Sequence, residues 1–216
     1  MRKNKKILLI LLLSIFCSAC LVGCAKREIK NIEAKGSNII CFGDSITFGH
    51  GTQPGEDYPA LLGKMTHIPV INAGVDNDTS RQALERIEAD VLERDPLLVI
   101  VEFGGNDFLT RVPTAETLNN IRAMIDKIQA KGAMVAIFDI STDIVLHEYG
   151  QAFYNLALEK QAIFIPGVLK GILIDPQLKS DYVHPNKLGY KIIVHRIYRC
   201  LMSYLNQNAL VKRFKK

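Results

Sequence analysis

Residues 97–107 read LLVIVEFGGND, a run of almost unbroken hydrophobicity interrupted only by Glu102, then two glycines and a polar pair. A strand with one wet face would alternate apolar and polar side chains; a continuous run suits a strand covered on both faces, as in a parallel sheet. The two glycines end it in a turn. Outward from this stretch, Asn38 to Phe42, Val70 to Ala73, Ala133 to Asp139 and Ala162 to Ile165 read as strands of the same kind. Leu84, Ile87 and Val91 mark one helical stripe between them, and Ile121, Met124, Ile125 and Ile128 another. A last helix follows Pro185, with Leu188, Ile193, Ile197, Leu201 and Tyr204 expected on its inner face. Strands alternating with helices imply right-handed crossovers. The expected class is α/β, a flavodoxin-like three-layer α/β/α sandwich on a central five-stranded parallel sheet.

The first residues belong to another function. Arg2, Lys3, Lys5 and Lys6 precede an apolar run from Ile7 to Gly23, which reads as an export signal over residues 1–23. Leu21-Val22-Gly23-Cys24 is similar to the lipobox of bacterial lipoproteins, which implies that Cys24 is lipidated and becomes the new N-terminus. Removing residues 1–23 takes four cations and no acids, so the formal charge falls from +5 to +1. Lys212, Arg213, Lys215 and Lys216 lie in a basic C-terminal tail, residues 211–216, without which the remainder is acidic. Nucleic acid is not an expected partner. Residues 24–36 are mixed in charge and read as a solvated tether with a reach of at most about 40 Å, and residues 37–210 as one domain. Of five cysteines, Cys41 and Cys200 alone remain for a bridge, and two buried thiols are expected. The expected location is the cell envelope outside the cytoplasm, with the membrane as a partner through the N-terminal lipid.

In an open α/β sheet, ligands bind where loops leave the carboxyl ends of strands. Three polar clusters stand at such places: Gly43-Asp44-Ser45, Gly104-Gly105-Asn106-Asp107, and Asp181-Tyr182-Val183-His184 near the end of the chain. Ser45, where the first strand gives way to the next segment, is the candidate nucleophile. His184 is the candidate general base, and Asp181 the carboxylate that fixes its tautomer. His67 and His195 fall in helical patterns, and His50 and His147 in loops. Asp44, Asp78 and Asp107 read most simply as loop residues bonded to nearby backbone.

These blocks resemble those of the SGNH (GDSL-type) serine hydrolases, through Gly43-Asp44-Ser45-Ile46-Thr47, Asn72-Ala73 leading to Asp78-Thr79-Ser80, Glu102 to Asp107, and Asp181 to Asn186. The stretch from Cys41 to Asp107 is similar to the bacterial thioesterase and lysophospholipase type. The resemblance implies a carboxylic ester hydrolase with an oxyanion hole built from the Ser45 N–H, the Asn106 side chain and a backbone N–H from a second-block glycine. The sequence departs from the family there, because Asn77 stands at the expected glycine and Gly74 lies three residues earlier. Asn tolerates a left-handed backbone better than other non-glycine residues, which favours Asn77, with Gly74 as the alternative.

Phe108, Leu109 and Val112 after the third block, and Ile144, Val145, Leu146, Tyr149 and Phe153 after the fourth strand, offer apolar contacts for an acyl chain. The resemblance leaves acyl esters and thioesters open beside a carbohydrate O-acetylesterase, an O-acyltransferase of the cell envelope, and a silent fold that binds a glycan or partner. The expected partner is an acyl-ester small molecule, lipid or glycan. No metal, nucleotide or flavin motif stands in the sequence, so no cofactor is expected.

Overall fold

The computed structural model describes residues 28–211. The expected signal over residues 1–23, Cys24 and the basic side chains from residue 212 onward lie outside the described residues. Five strands form one parallel sheet: β1 (Asn38–Gly43), β2 (Val70–Gly74), β3 (Pro96–Glu102), β4 (Met134–Phe138) and β5 (Ile163–Ile165). Their order is β2-β1-β3-β4-β5. Every residue of β3 is buried, as its continuous apolar run requires.

Helices α1 (Ser45–Phe48) and α2 (Tyr58–Thr66) join β1 to β2. Helix α3 (Ser80–Ile87), continued by a π turn over Glu88–Leu92, joins β2 to β3; Thr79 and Gln82 cap its start reciprocally. Helices α4 (Gly105–Leu109) and α5 (Thr114–Ala130) lead to β4, and α6 (His147–Glu159) leads to β5. The chain ends on α7 (Lys187–Leu205), opened by Asn186, whose side chain accepts from the Leu188 and Gly189 amides. Helices α2 and α7 pack together on one face of the sheet, and α3, α5 and α6 cover the other. The chain leaves β1 toward one edge and β3 toward the opposite edge, so a crevice opens between their carboxyl ends. That is the switch point at which such sheets bind ligands.

Two expectations change. Residues 28–36 are docked, not a solvated tether: Ile29 and Ala34 are each 4% exposed. The Lys30 amide donates to Gln161 O, the Asn31 side chain to Gln129 O and Ala133 O, and the Asn208 side chain to Ile32 O and Ala34 O. Burying Ile29 alone contributes about 2 kcal/mol, a gain that isolated isoleucines in a charged stretch do not advertise. On α7 the inner face is Tyr190, Ile193, Val194, Ile197, Leu201 and Leu205, whereas Leu188 is half exposed. Cys41 and Cys200 are both free thiols, as expected, Cys41 buried and Cys200 partly so, and burial pushes both up, that of Cys200 to about 11.

Candidate active site

Ser45 is the first residue of α1, directly beyond β1, and is nearly buried. Asp44 caps the turn, its Oδ1 accepting from the Ile46 amide at 3.1 Å. The Ser45 N–H, first in its helix, has no intrahelical acceptor and is free to serve a ligand. On the facing loop, Asp181 Oδ1 accepts from the amides of Val183 (2.8 Å) and His184 (2.9 Å), which folds the loop back on itself. Asp181 Oδ2 lies 2.8 Å from His184 Nδ1, and His184 Nε2 lies 2.9 Å from Ser45 Oγ. A carboxylate only accepts, so the Nδ1 proton faces Asp181 and Nε2 is left to accept from the serine hydroxyl. Burial pushes the Asp181 carboxyl up, but the hydrogen bonds from the His184 ring and from the two amides outweigh it and hold the group at about 2.

The third block supplies the opposite wall. Gly104, at φ +117°, makes the turn from β3 into α4, and an added Cβ would meet Ile140 Cδ1 at 2.8 Å. Asn106 Nδ2 donates to Asp78 O at 2.9 Å and lies 3.2 Å from Asp44 Oδ2, so its amide is held by two partners in the wall of the crevice that Ser45 also lines. Asn77 adopts the left-handed conformation, φ +63°, and lines the same crevice. Its N–H donates to no acceptor among the described residues. Gly74 is placed differently: its N–H donates to Asn72 Oδ1, and a Cβ there would fall 2.1 Å from Phe48 N. Its smallness serves the close approach of β2 to α1, so of the two alternatives Asn77 faces the cavity.

Behind this wall lies a polar layer. Glu102, at the end of β3 and 1% exposed, accepts through Oε2 from the Asp44 amide and Thr47 Oγ1. Desolvation raises both carboxyls, that of Asp44 to about 6 and that of Glu102 well above the usual range; the Asp44 charge raises Glu102 further, whereas the hydrogen bond with Glu102 favours the ionised form of Asp44. Asp107 accepts from the Ser80 amide and hydroxyl and from Thr117 Oγ1. Arg86 reaches from α3 to Asp78, Asp90, Ala73 O and Gly43 O, with its guanidinium 4.5 Å from the Phe42 ring centroid. Of the three aspartates expected to bond local backbone, Asp44 does so at Ile46, and all three also join the first three blocks: Asp44 to Asn106, Asp78 through Arg86 to Gly43, and Asp107 to Ser80.

The crevice holds about 300 Å³ and is walled on one side by Ser45, Asn77, Asn106 and His184 and elsewhere by apolar side chains. Phe108, Leu109 and Leu146 line it as expected. Val112 does not: it turns away after α4, its amide donating to Asp107 O. Tyr149 and Phe153 are core residues of α6, and Ile140, Leu173, Ile174 and Tyr182 take part in the lining instead. The His50 ring stacks on His184, 4.1 Å between centroids, with its Nδ1 3.4 Å from Asp76 Oδ2. His50, Asp181 and His184 form the one group of potential metal ligands among the described residues. Both nitrogens of His184 are already engaged there.

A model of the GDSL-like lipase/acylhydrolase family matches residues 41–192, from β1 into α7. The chain belongs to the GDSL-like lipase/acylhydrolase family. This GDSL hydrolase is accordingly a carboxylic ester hydrolase. It is 27% identical over 196 residues to Esterase TesA of Pseudomonas aeruginosa, covering 86% of this chain and 98% of that protein. It is also 27% identical to the Thioesterase 1/protease 1/lysophospholipase L1 of Escherichia coli, covering 82% and 88% of the two chains. Among solved structures it resembles the psychrotrophic esterase EstA of a Pseudoalteromonas species in a form inhibited by monoethylphosphonate. The TM-score is 0.70 and the identity 27%, over 79% of this chain and 99% of that one.

Sequence reading of the GDSL hydrolase left the Asp44–Glu102 pair and the Arg86 clamp without a role. A signal for the first was present, since Glu102 is the one acid in an otherwise apolar buried strand. Arg86 carries no such signal, because a basic residue near a helix end is ordinary on a solvated face.

Proposed function

We propose that this hydrolase cleaves esters or thioesters of apolar acyl chains through Ser45, His184 and Asp181, with the N–H groups of Ser45 and Asn77 and the Asn106 side chain as the oxyanion hole. The observation that carries the reading is the line of hydrogen bonds, 2.8 and 2.9 Å, that runs from Asp181 through His184 to a serine hydroxyl at the floor of an apolar crevice. Ser45 Oγ attacks the acyl carbonyl carbon as its proton passes to His184 Nε2. The carbonyl oxygen, now negative, accepts from the three donors. Asn106 keeps one N–H on Asp78 O and turns the other from Asp44 to the oxyanion. His184 then protonates the departing alcohol or thiol, and water attacks the acyl-serine with the same base. Removal of one such donor lowers kcat by about 10²–10³-fold, which Asn106→Ala would report.

Turnover of nitrophenyl esters of graded chain length by the wild type, Ser45→Ala and His184→Ala tests the scheme. The expected profile favours chains longer than acetyl and vanishes with Ser45, as does labelling by a fluorophosphonate; turnover that survives Ser45→Ala would overturn it. A preference for acetyl esters would move the reading to sugar O-acetyl groups. Residues 1–23 act as an export signal in this proposal and Cys24 as the lipid site, supported by the basic start, the apolar run and Leu21-Val22-Gly23-Cys24. A fatty-acid probe incorporated by the wild type and not by Cys24→Ala is the expected outcome.

A further inference from the structure

We propose that the pole of the fold opposite the catalytic crevice is its membrane-facing surface, with an anionic bilayer as its partner, so that the crevice opens away from the bilayer that holds the anchor. The proposal rests on the lipid reading of Cys24 and goes beyond it by fixing which way the enzyme faces.

Both ends of the described chain meet at that pole. The Lys30 amide reaches Gln161 O just before β5. The Asn31 side chain reaches Gln129 O and Ala133 O just before β4, and Asn208 ties the segment after α7 to Ile32 O and Ala34 O. These contacts lie at the amino ends of strands, whereas Ser45 and Asn106 follow the carboxyl ends of β1 and β3. Helix α7 starts two residues beyond Pro185, beside His184, and ends three residues before Asn208. It therefore measures the separation: 19 residues at 1.5 Å each give about 28 Å.

From Cys24 to Glu28 the chain spans at most about 14 Å. With residues 28–36 docked, that reach falls well short of the distance the protein would have to turn through to bring the crevice to the lipid. Charge complements the geometry. Val211 is buried at the same pole, and Lys212, Arg213, Lys215 and Lys216 follow it directly. Lys30, Lys35 and Lys131 are exposed there, opposed by Glu28, Glu33 and Asp95, so the tail decides the sign and favours an anionic surface. The substrate of such an enzyme arrives from the aqueous side of the envelope, not from the anchoring leaflet.

The test uses the full chain, processed in a bacterial host and purified from membranes in a Cys200→Ser background. Lys131→Cys and Tyr182→Cys each carry a fluorophore, in phosphatidylglycerol vesicles with a headgroup-level quencher. Quenching at residue 131 and none at residue 182 is expected; equal quenching, stronger quenching at 182, or a protein that stays in the aqueous phase overturns the proposal. The mass of the N-terminal peptide reports the acyl group separately. A membrane-bound chain quenched at 131 but without acyl would keep the orientation and overturn the lipid reading alone. In a Cys24→Ala background, changing Lys212, Arg213, Lys215 and Lys216 to Gln is expected to abolish any excess retention on phosphatidylglycerol over phosphatidylcholine vesicles. Undiminished retention would remove the tail from the surface.

Discussion

Asn77 holds a backbone conformation, φ +63°, that most side chains resist, and in the proposed oxyanion hole it serves through its N–H rather than its side chain. Asn77→Gly is therefore expected to keep kcat on nitrophenyl esters near the wild-type value, whereas Asn77→Val pays strain of about 1–2 kcal/mol and lowers it; a Gly variant as impaired as the Val variant would place the function in the amide side chain. Behind the same wall, Asp44 and Glu102 make a buried acid pair whose protonated forms the fold favours. The sign follows from that. A carboxyl raised in the folded state binds protons that the unfolded chain has released, so stability is greatest below the ordinary carboxylate pKa and falls as pH rises through the interval from about 4 to about 6 for Asp44. Glu102→Gln removes one desolvated acid, the one that burial and the Asp44 charge raise. Thermal melts of the variant are expected to depend less on pH across that interval and to gain most on the wild type at pH 8. Parallel wild-type and variant curves would deny the pair its charge. At this scale Ser45, His184 and Asp181 were legible because each chemistry-bearing residue follows a strand or stands in a D-x-x-H spacing. The pairing of Asp44 with Glu102 was not: a lone acid in an apolar strand marks Glu102, but a partner 58 residues away leaves no local pattern.

At the scale of elements, apolar runs gave all five strands to within a residue or two at each end; in β1, β3 and β4 burial on both faces erases the alternation that blurs other strands, whereas the edge strand β2 is only partly buried. The faces of the helices were harder. The α7 stripe read from Leu188 is shifted from the one observed: Leu188 sits in the exposed first turn beside the crevice, whereas Tyr190 is buried with its hydroxyl donating to His50 O. Helix α3 does more than cover the sheet. Through Arg86 it fastens the carbonyls that end β1 and β2 and the Asp78 carboxylate, which is 6% exposed. Loss of one member of a buried ion pair costs about 3–5 kcal/mol. Arg86→Ala is expected to lose stability of that order in urea unfolding and to lower kcat, because Asp78 O positions Asn106. Arg86→Lys restores the charge but not the planar fork, and is expected to recover stability only in part. Full recovery by Lys would reduce the clamp to a point charge.

For the whole molecule, the segment from Glu28 to Gly36 decides how the fold meets its surroundings. Read as a solvated tether it gives the enzyme a reach of about 40 Å from Cys24 and lets the crevice graze the bilayer; docked, as Ile29, Asn31 and Ala34 hold it, it leaves about a third of that. Hydropathy could not tell these apart, since two buried apolar residues in a charged stretch are indistinguishable from two exposed ones until their pocket exists. Ile29→Asp places a carboxylate where an apolar side chain was 4% exposed, and the cheapest relief is to release the segment rather than to unfold the sheet. Hydrolysis of a soluble nitrophenyl ester by the membrane-bound variant is then expected to stay at the wild-type rate, because the crevice is assembled from β1, β3 and the loop before α7. Hydrolysis of an ester confined to the anchoring leaflet is expected to rise, since the longer tether lets the crevice turn toward the lipid. The ratio of the two rates is the measurement: a ratio unchanged by Ile29→Asp, with the segment shown to be released by its proteolysis, would mean that the docked segment does not set the orientation of the enzyme.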